Sequence, residues 1–235
     1  MVMRLLWSLL LATILLVSGC KPPAPLPPLA PAWSLDVWTY TTIAPPPAGD
    51  VASQPLFDAL YRGIPFTNDF IWEQDQKNVI AKLPEIYALM DAAPQFASLK
   101  GATIDSGGAW IIDGKTTAYR SGQMTSLNRI LRELIERHEN LADLTSRDRV
   151  QGFAVALIAL GTELADVPTP VEEATILHLE RVALVADGCR MLEMLDKSDG
   201  GHRLTKPMAT IEAELNAASR AEADRRREIR DRAGK

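Results

Sequence analysis

The chain has 235 residues, 47% of them hydrophobic, with 25 Lys and Arg against 30 Asp and Glu and a formal net charge of −5. That length carries one or two domains at the usual ~100–200 residues each, and the apolar fraction supplies a real core. An acidic balance without a clustered Lys/Arg surface argues against nucleic acid as the main partner.

In chain order, the first stretch has three parts. Arg4 gives a positive start, Leu5 to Val17 is an apolar run broken only by Ser8 and Thr13, and Val17-Ser18-Gly19 leads into Cys20. Such a sequence reads as a secretory leader. A transmembrane helix needs about 20 apolar residues to cross a core of about 30 Å. This run, at about 1.5 Å per residue, reaches roughly 20 Å, and Lys21 with the prolines behind it stops the run. Val17-Ser18-Gly19-Cys20 resembles the lipobox of bacterial lipoproteins, and all four positions fit. The alternative is an ordinary signal cut nearby, with Cys20 there by chance.

The resemblance covers only the first 20 residues. It implies diacylglyceryl attachment to the Cys20 thiol, cleavage between Gly19 and Cys20, and a membrane anchor through the N-terminal lipid. Lys21 stands where inner-membrane-retained members often carry Asp, which implies the outer membrane, facing the periplasm. If Cys20 is acylated, Cys189 has no partner within the chain. It is then expected to be buried and inert, or used between chains.

Residues 20–52 read as a tether. Pro22, Pro23, Pro25, Pro27, Pro28 and Pro31 are followed by Pro45-Pro46-Pro47, and proline fixes φ and removes a backbone donor. An extended spacer at about 3.1 Å per residue is expected. Trp33 to Tyr40 interrupts it. Trp33, Leu35 and Val37 alternate with Ser34 and Asp36, a strand-like pattern. This segment either docks on its own domain, offers Trp33, Trp38 and Tyr40 to a partner by strand addition, or touches the membrane interface. No periodic core element precedes Ser53, so a chain starting near Asp50 is expected to keep the fold.

The domain 53–235 is expected to be mainly α, with a helical N-terminal part over 53–100, a small antiparallel β-hairpin within 101–120 and helices over 125–232. Ser53-Gln54-Pro55 opens a short helix to Tyr61, ended by Gly63. A second helical stretch runs from about Asn68 to Met90, divided at Pro84. Asp113-Gly114 between Ala109-Trp110-Ile111-Ile112 and Thr116-Thr117-Ala118-Tyr119 signals the hairpin. Leu127, Ile130, Leu131, Leu134, Ile135 and Leu141 lie at helical spacing. Ser146 begins another helix, in which 152–161 is apolar nearly all round and should be central. Thr169, Pro170 and Glu172 make a capping box for a helix to about Asp196. Ser198-Asp199-Gly200-Gly201 ends it, and Thr205 starts the last one, with Met208, Ile211 and Leu215 as its stripe. Beyond Ala218 the alternating charges suggest a solvated, frayed end or, less simply, a contact with anionic envelope surfaces. The helices differ in length and in the placing of Gly and Pro, which speaks against a repeat array.

Catalytic signatures fail on spacing. Asp105-Ser106-Gly107-Gly108 matches the core around the nucleophile of trypsin-like proteases, but in that family the His lies upstream, and none precedes Ser106. His138-Glu139 opens like a zinc-protease motif, yet Ala142 stands where the second His must be. Ile135 precedes His138 and Thr175 precedes His178 where a di-iron pattern needs Glu. A joint zinc site of His138, His178 and Cys189 would need packing to bring them together. No catalytic set, metal site or cofactor is therefore expected.

The expected architecture is a bundle of about four long helices with one small hairpin, on a lipidated Pro-rich stalk. The expected role is a non-catalytic envelope lipoprotein that binds another envelope protein or the wall as an assembly component. The alternatives are a periplasmic inhibitor or immunity lipoprotein against a toxin or enzyme, and an enzyme acting on wall or lipid.

Overall fold

The computed structural model describes residues 35–46, 83–96, 103–104, 110–112, 115–117, 128, 146–164, 167 and 174–233. The described chain is mainly α. Its helices are α1 (Leu83–Ala92), α2 (Arg147–Glu163), α3 (Ala174–Asp199) and α4 (Met208–Ala233). The leader, Cys20, the helices expected over 53–82 and the capping box at Thr169 lie outside the described residues. So does the helix expected from Thr125, except for Asn128, which is helical and buried.

The centre is α2. Ser146 caps it, accepting the Arg149 amide at 3.3 Å, and Asp148 sits in the first turn, where the helix dipole favours negative charge. Val150 and Phe153 through Gly161 are all buried, so this helix is enclosed on every side along most of its length. Among the described elements its main neighbour is α3, and α1 and the 3-10 turn Ala93–Phe96 also pack on it.

Two glycines set the closeness of the α2–α3 contact. A Cβ on Gly188 would stand 2.6 Å from the Ala154 carbonyl oxygen. One on Gly161 would stand 2.9 Å from the Arg181 carbonyl oxygen. Side chains on α3 and α4 join Leu192, Leu195, Met208, Ile211 and Leu215 to the same core.

The end of α3 is set by Gly200, which takes φ of +71° while its amide donates to the Asp196 carbonyl at 2.8 Å. The helix thus continues past Asp196 to Asp199 before that turn. The chain then reverses, and α4 runs antiparallel to α3. Arg190 meets Glu212 near the loop, whereas His178 meets Glu222 and Arg226 far from it.

Three expectations change here. Thr205 does not start α4. The helix begins at Met208, and the Pro207 carbonyl accepts the Ile211 amide at 3.2 Å. The charged end is not wholly solvated, because Glu222 and Arg226 are buried while Arg227, Glu228 and Arg232 are exposed.

The third change concerns Leu35 to Tyr40, which is not a strand. The Asp36 carboxylate accepts the Trp38 amide at 3.3 Å, and the Thr39 hydroxyl donates to the Asp36 carbonyl at 2.6 Å. That local bonding curls Val37–Tyr40 into a 3-10 turn. Val37 and Tyr40, three residues apart, then share one face, and both are core residues. Residues 35–46 lie within the stretch 20–52 read as a tether, and they pack on the body, which is the own-domain docking named among the readings for Trp33 to Tyr40.

Among the described residues, β1 (Thr103–Ile104), β2 (Trp110–Ile112) and β3 (Lys115–Thr117) pair antiparallel in that order, with Ile111 opposite Thr103 and Thr116.

Candidate functional site

Residues 35–46 are held by backbone at the turn between α3 and α4. The Thr42 amide donates to the Arg203 carbonyl at 2.8 Å and the Thr205 amide to the Tyr40 carbonyl at 3.0 Å, flanking an isolated antiparallel bridge between Thr41 and Leu204. Side chains repeat the link. The Thr41 hydroxyl donates to the Arg203 carbonyl at 2.9 Å, and the Thr205 hydroxyl donates to the Thr39 carbonyl. The receiving turn is itself stiff. Asp196 accepts the amides of Arg203 and Leu204, and the Arg203 guanidinium bonds Asp196, Asp199 and Gln151. The hydrogen bond from Arg203 holds the Asp199 carboxyl down at about 2.

Tyr40 is the pivot of this attachment. It is 1% exposed, with Lys206 Nζ 5.1 Å from its ring centroid. Lys206 also bonds the Glu214 carboxylate at 2.8 Å. Burial first, and the Glu214 carboxylate second, push the Tyr40 phenol well above the usual tyrosine range, so it stays protonated. Cys189 on α3 is close enough to act on the same hydroxyl, and burial pushes its own thiol up to about 12.

The second polar centre lies at the far end of the α3–α4 seam. His178, Arg181, Glu222 and Arg226 are each at most 8% exposed. Arg181 Nη2 donates to His178 Nδ1 at 2.8 Å, and Arg226 Nε donates to Glu222 Oε1 at 3.0 Å. An Arg only donates, so Nδ1 accepts and the neutral ring carries its proton on Nε2. Burial lowers the His178 pKa to about 4, with Arg181 and Arg226 adding to the shift and Glu222 opposing it. Burial likewise raises Glu180 to about 7. Between the two centres, Asp187 joins Asn128 at 2.6 Å to Arg190, which reaches Glu212 at 2.7 Å.

Of the residues singled out on sequence, Gly19, Cys20, Trp33, Ser106 and His138 lie outside the described residues. Trp38 is half-buried and packs against the core. Tyr40, offered as a partner contact, is instead enclosed by its own chain. His178 and Cys189 share the continuous helix α3, where eleven residues at a 1.5 Å rise separate them by roughly 16 Å. They cannot reach one ion, so the joint zinc site fails on geometry. Among the described residues no group of three or more His, Cys, Asp or Glu could hold a metal ion, and no helix is long and apolar enough to cross a membrane.

The sequence reading missed the buried charges. Their only linear signal is spacing, His178 with Arg181 at i,i+3 and Glu222 with Arg226 at i,i+4, which an exposed helix also shows. No family model, no curated protein and no solved structure matches the chain.

Proposed function

We propose that this chain is a non-catalytic envelope lipoprotein. It is anchored through lipid on Cys20, most simply in the outer membrane facing the periplasm, and its helical body engages another envelope protein or the wall. The observation that carries this reading is the docking of residues 35–46. With that segment bound to the body, the Pro-rich stretch 21–34 is what the sequence offers as a leash. At about 3.1 Å per residue an extended leash of that length spans roughly 45 Å. A body held so near the membrane suits a component that works on a neighbour in the same envelope layer. The finer architecture that goes with this reading is a bundle in which the 125–141 segment joins α2, α3 and α4, with a hairpin beside it. The buried bond from Asn128 to Asp187 and the pairing of β2 with β3 support it.

Lipid attachment is testable at one atom. Each buried lipid methylene contributes about 0.8 kcal/mol, and two or more chains anchor stably where one does not. Wild type should stay with membranes through high salt and leave only with detergent. Cys20→Ser removes the acceptor thiol and, by the lipoprotein pattern, the cut that depends on it. A larger unacylated precursor held by Leu5–Val17 is expected. An unmodified Cys20 in wild type, or a variant still cut after Gly19, sinks the anchor. Cross-linking in intact envelopes should give a discrete adduct with a second envelope component, lost in Cys20→Ser. Wild-type protein that yields no adduct under conditions that capture a known neighbouring complex would sink the assembly role while leaving the anchor standing.

A further inference from the structure

Residues 35–46 join the body at one end of its long helices. Among the described residues, their backbone bonds to the rest of the chain run to the α3–α4 turn, on both sides of the Thr41–Leu204 bridge. The Thr41 and Thr42 hydroxyls donate to carbonyls of the same turn. The attachment is firm. Val37, Tyr40 and Thr41 are buried, and Leu35, Trp38 and Ile43 pack against the core. The receiving turn is held by Asp196, Asp199 and Gln151 through Arg203. Val37–Tyr40 is a 3-10 turn, and such turns rise about 2 Å per residue, so Leu35 lies within roughly 15 Å of Tyr40. From the turn, α3 and α4 run away together. Each has 26 residues, about 39 Å at the helical rise. The charged half of the seam, with His178, Glu222 and Arg226, is therefore at the far end from the place where the chain's N-terminal side enters.

We propose that the docked segment orients the body. An anchor on the N-terminal side holds the α3–α4 turn toward the membrane and points the far end of the seam away from it. The inference rests on the lipid anchor at Cys20 for the source of attachment, and on the docking of residues 35–46 for the direction. Residues 21–34, at about 3.1 Å per residue, hold Leu35 within roughly 45 Å of the surface, and so the turn within roughly 60 Å. The far end of the seam reaches about 40 Å farther. A neighbour in the envelope beyond the range of the turn is met by the far end of α3 and α4.

Ala209 and Asp231 are exposed near the two ends of α4, about 33 Å apart along the helix. Ala209→Cys and Asp231→Cys, each in the full chain, offer a thiol for a fluorescent donor, and the acylated protein is reconstituted in phospholipid vesicles that contain an acceptor-labelled lipid. Cys189 is 0% exposed, and protein without an added Cys gives the blank. Energy transfer from position 209 should exceed that from position 231. Val37→Asp together with Tyr40→Ser undocks the segment, and the excess should then be lost while circular dichroism keeps its helical signal. If the double variant loses its helices, the comparison of positions 209 and 231 in the otherwise wild-type chain decides alone. Equal or reversed transfer there would overturn the orientation, and so would an excess that survives undocking. Protein that does not float with the vesicles fails the lipid anchor instead. The chain from Lys21, held on nickel-chelating lipid by an N-terminal histidine tag, then decides the orientation with the same two donors.

Discussion

Three glycines in these helices fall into two cases, and only the surroundings tell them apart. At Gly188 an added Cβ would meet the Ala154 carbonyl oxygen at 2.6 Å and Ile158 Cγ1 at 2.7 Å. At Gly161 it would meet Val185 Cγ2 at 2.8 Å. Backbone of α2 cannot rotate away as a flexible side chain can, so α2 and α3 would have to separate. Alanine gains about 1 kcal/mol in helix propensity over glycine, but overpacking a tight core costs about 1–3 kcal/mol. With backbone as the clashing neighbour the steric effect wins: Gly188→Ala should lower stability, by up to about 2 kcal/mol. Gly152 has only Pro94 Cγ at 3.9 Å, ordinary contact. There the propensity term acts alone, and Gly152→Ala should raise stability by about 0.5–1 kcal/mol. Urea unfolding of the two variants beside wild type checks both signs. Equal shifts in the same direction would mean that α2 and α3 are not in the close contact described. The sequence displays all three residues as the same letter inside helical patterns, so the distinction was not legible there.

At the scale of elements, the central helix was legible, and of the N-terminal segment the docking was among the readings while the conformation was not. The apolar stretch 152–161 has no polar face to present to water, so burial on all sides is its only stable place, and it lies there. Leu35 to Tyr40 offered an alternation of period two that suggested a strand. The short-range bond from the Trp38 amide to the Asp36 carboxylate outweighed it. A single Asp is a weak signal, and the bridge partner at Leu204 is too distant in sequence to be paired by inspection. The consequence reverses the expectation for a shortened chain. A protein starting at Asp50 loses Val37 and Tyr40 from the core. Losing them takes buried apolar surface out of the core, at about 1.5–3 kcal/mol for a Val-sized side chain. We expect a helical protein with a lowered urea midpoint and increased binding of a hydrophobic dye, whereas a chain starting at Pro31 matches the full length. An identical midpoint for the two would show that the segment adds nothing to the body.

For the whole molecule, the α3–α4 seam divides into an apolar half near the turn, at Leu192, Leu195, Ile211 and Leu215, and a charged half near its open end. The apolar half follows from the periodic stripe of α4. The charged half depends on which face of α4 meets α3, a tertiary fact that no linear spacing carries. His178 in that half, and Glu180 elsewhere on α3, give the protein two opposed pH responses. His178 has a folded pKa near 4 against an ordinary 6.5, because burial penalises the imidazolium. Between those values the unfolded chain binds a proton that the folded one refuses. The stability contributed by the neutral ring is thus complete above pH 6.5 and is lost as the pH falls toward 4, at most about 3 kcal/mol. Glu180 runs the other way. Burial raises it to about 7 from 4.5, so the folded chain keeps a proton that the unfolded one releases. Its contribution is complete below pH 4.5 and is lost as the pH rises toward 7, with a similar ceiling of about 3 kcal/mol. The two slopes overlap between pH 4.5 and 6.5 and largely cancel, so the pair contributes little net slope there in wild type. His178→Gln should leave the Glu180 term alone, giving stability that declines as pH rises through that window. Glu180→Gln should leave the His178 term, giving stability that climbs with pH over the same range. Urea midpoints at half-unit pH steps would resolve the opposite slopes, and two variants that both keep the wild-type profile would refute the burial of these two groups.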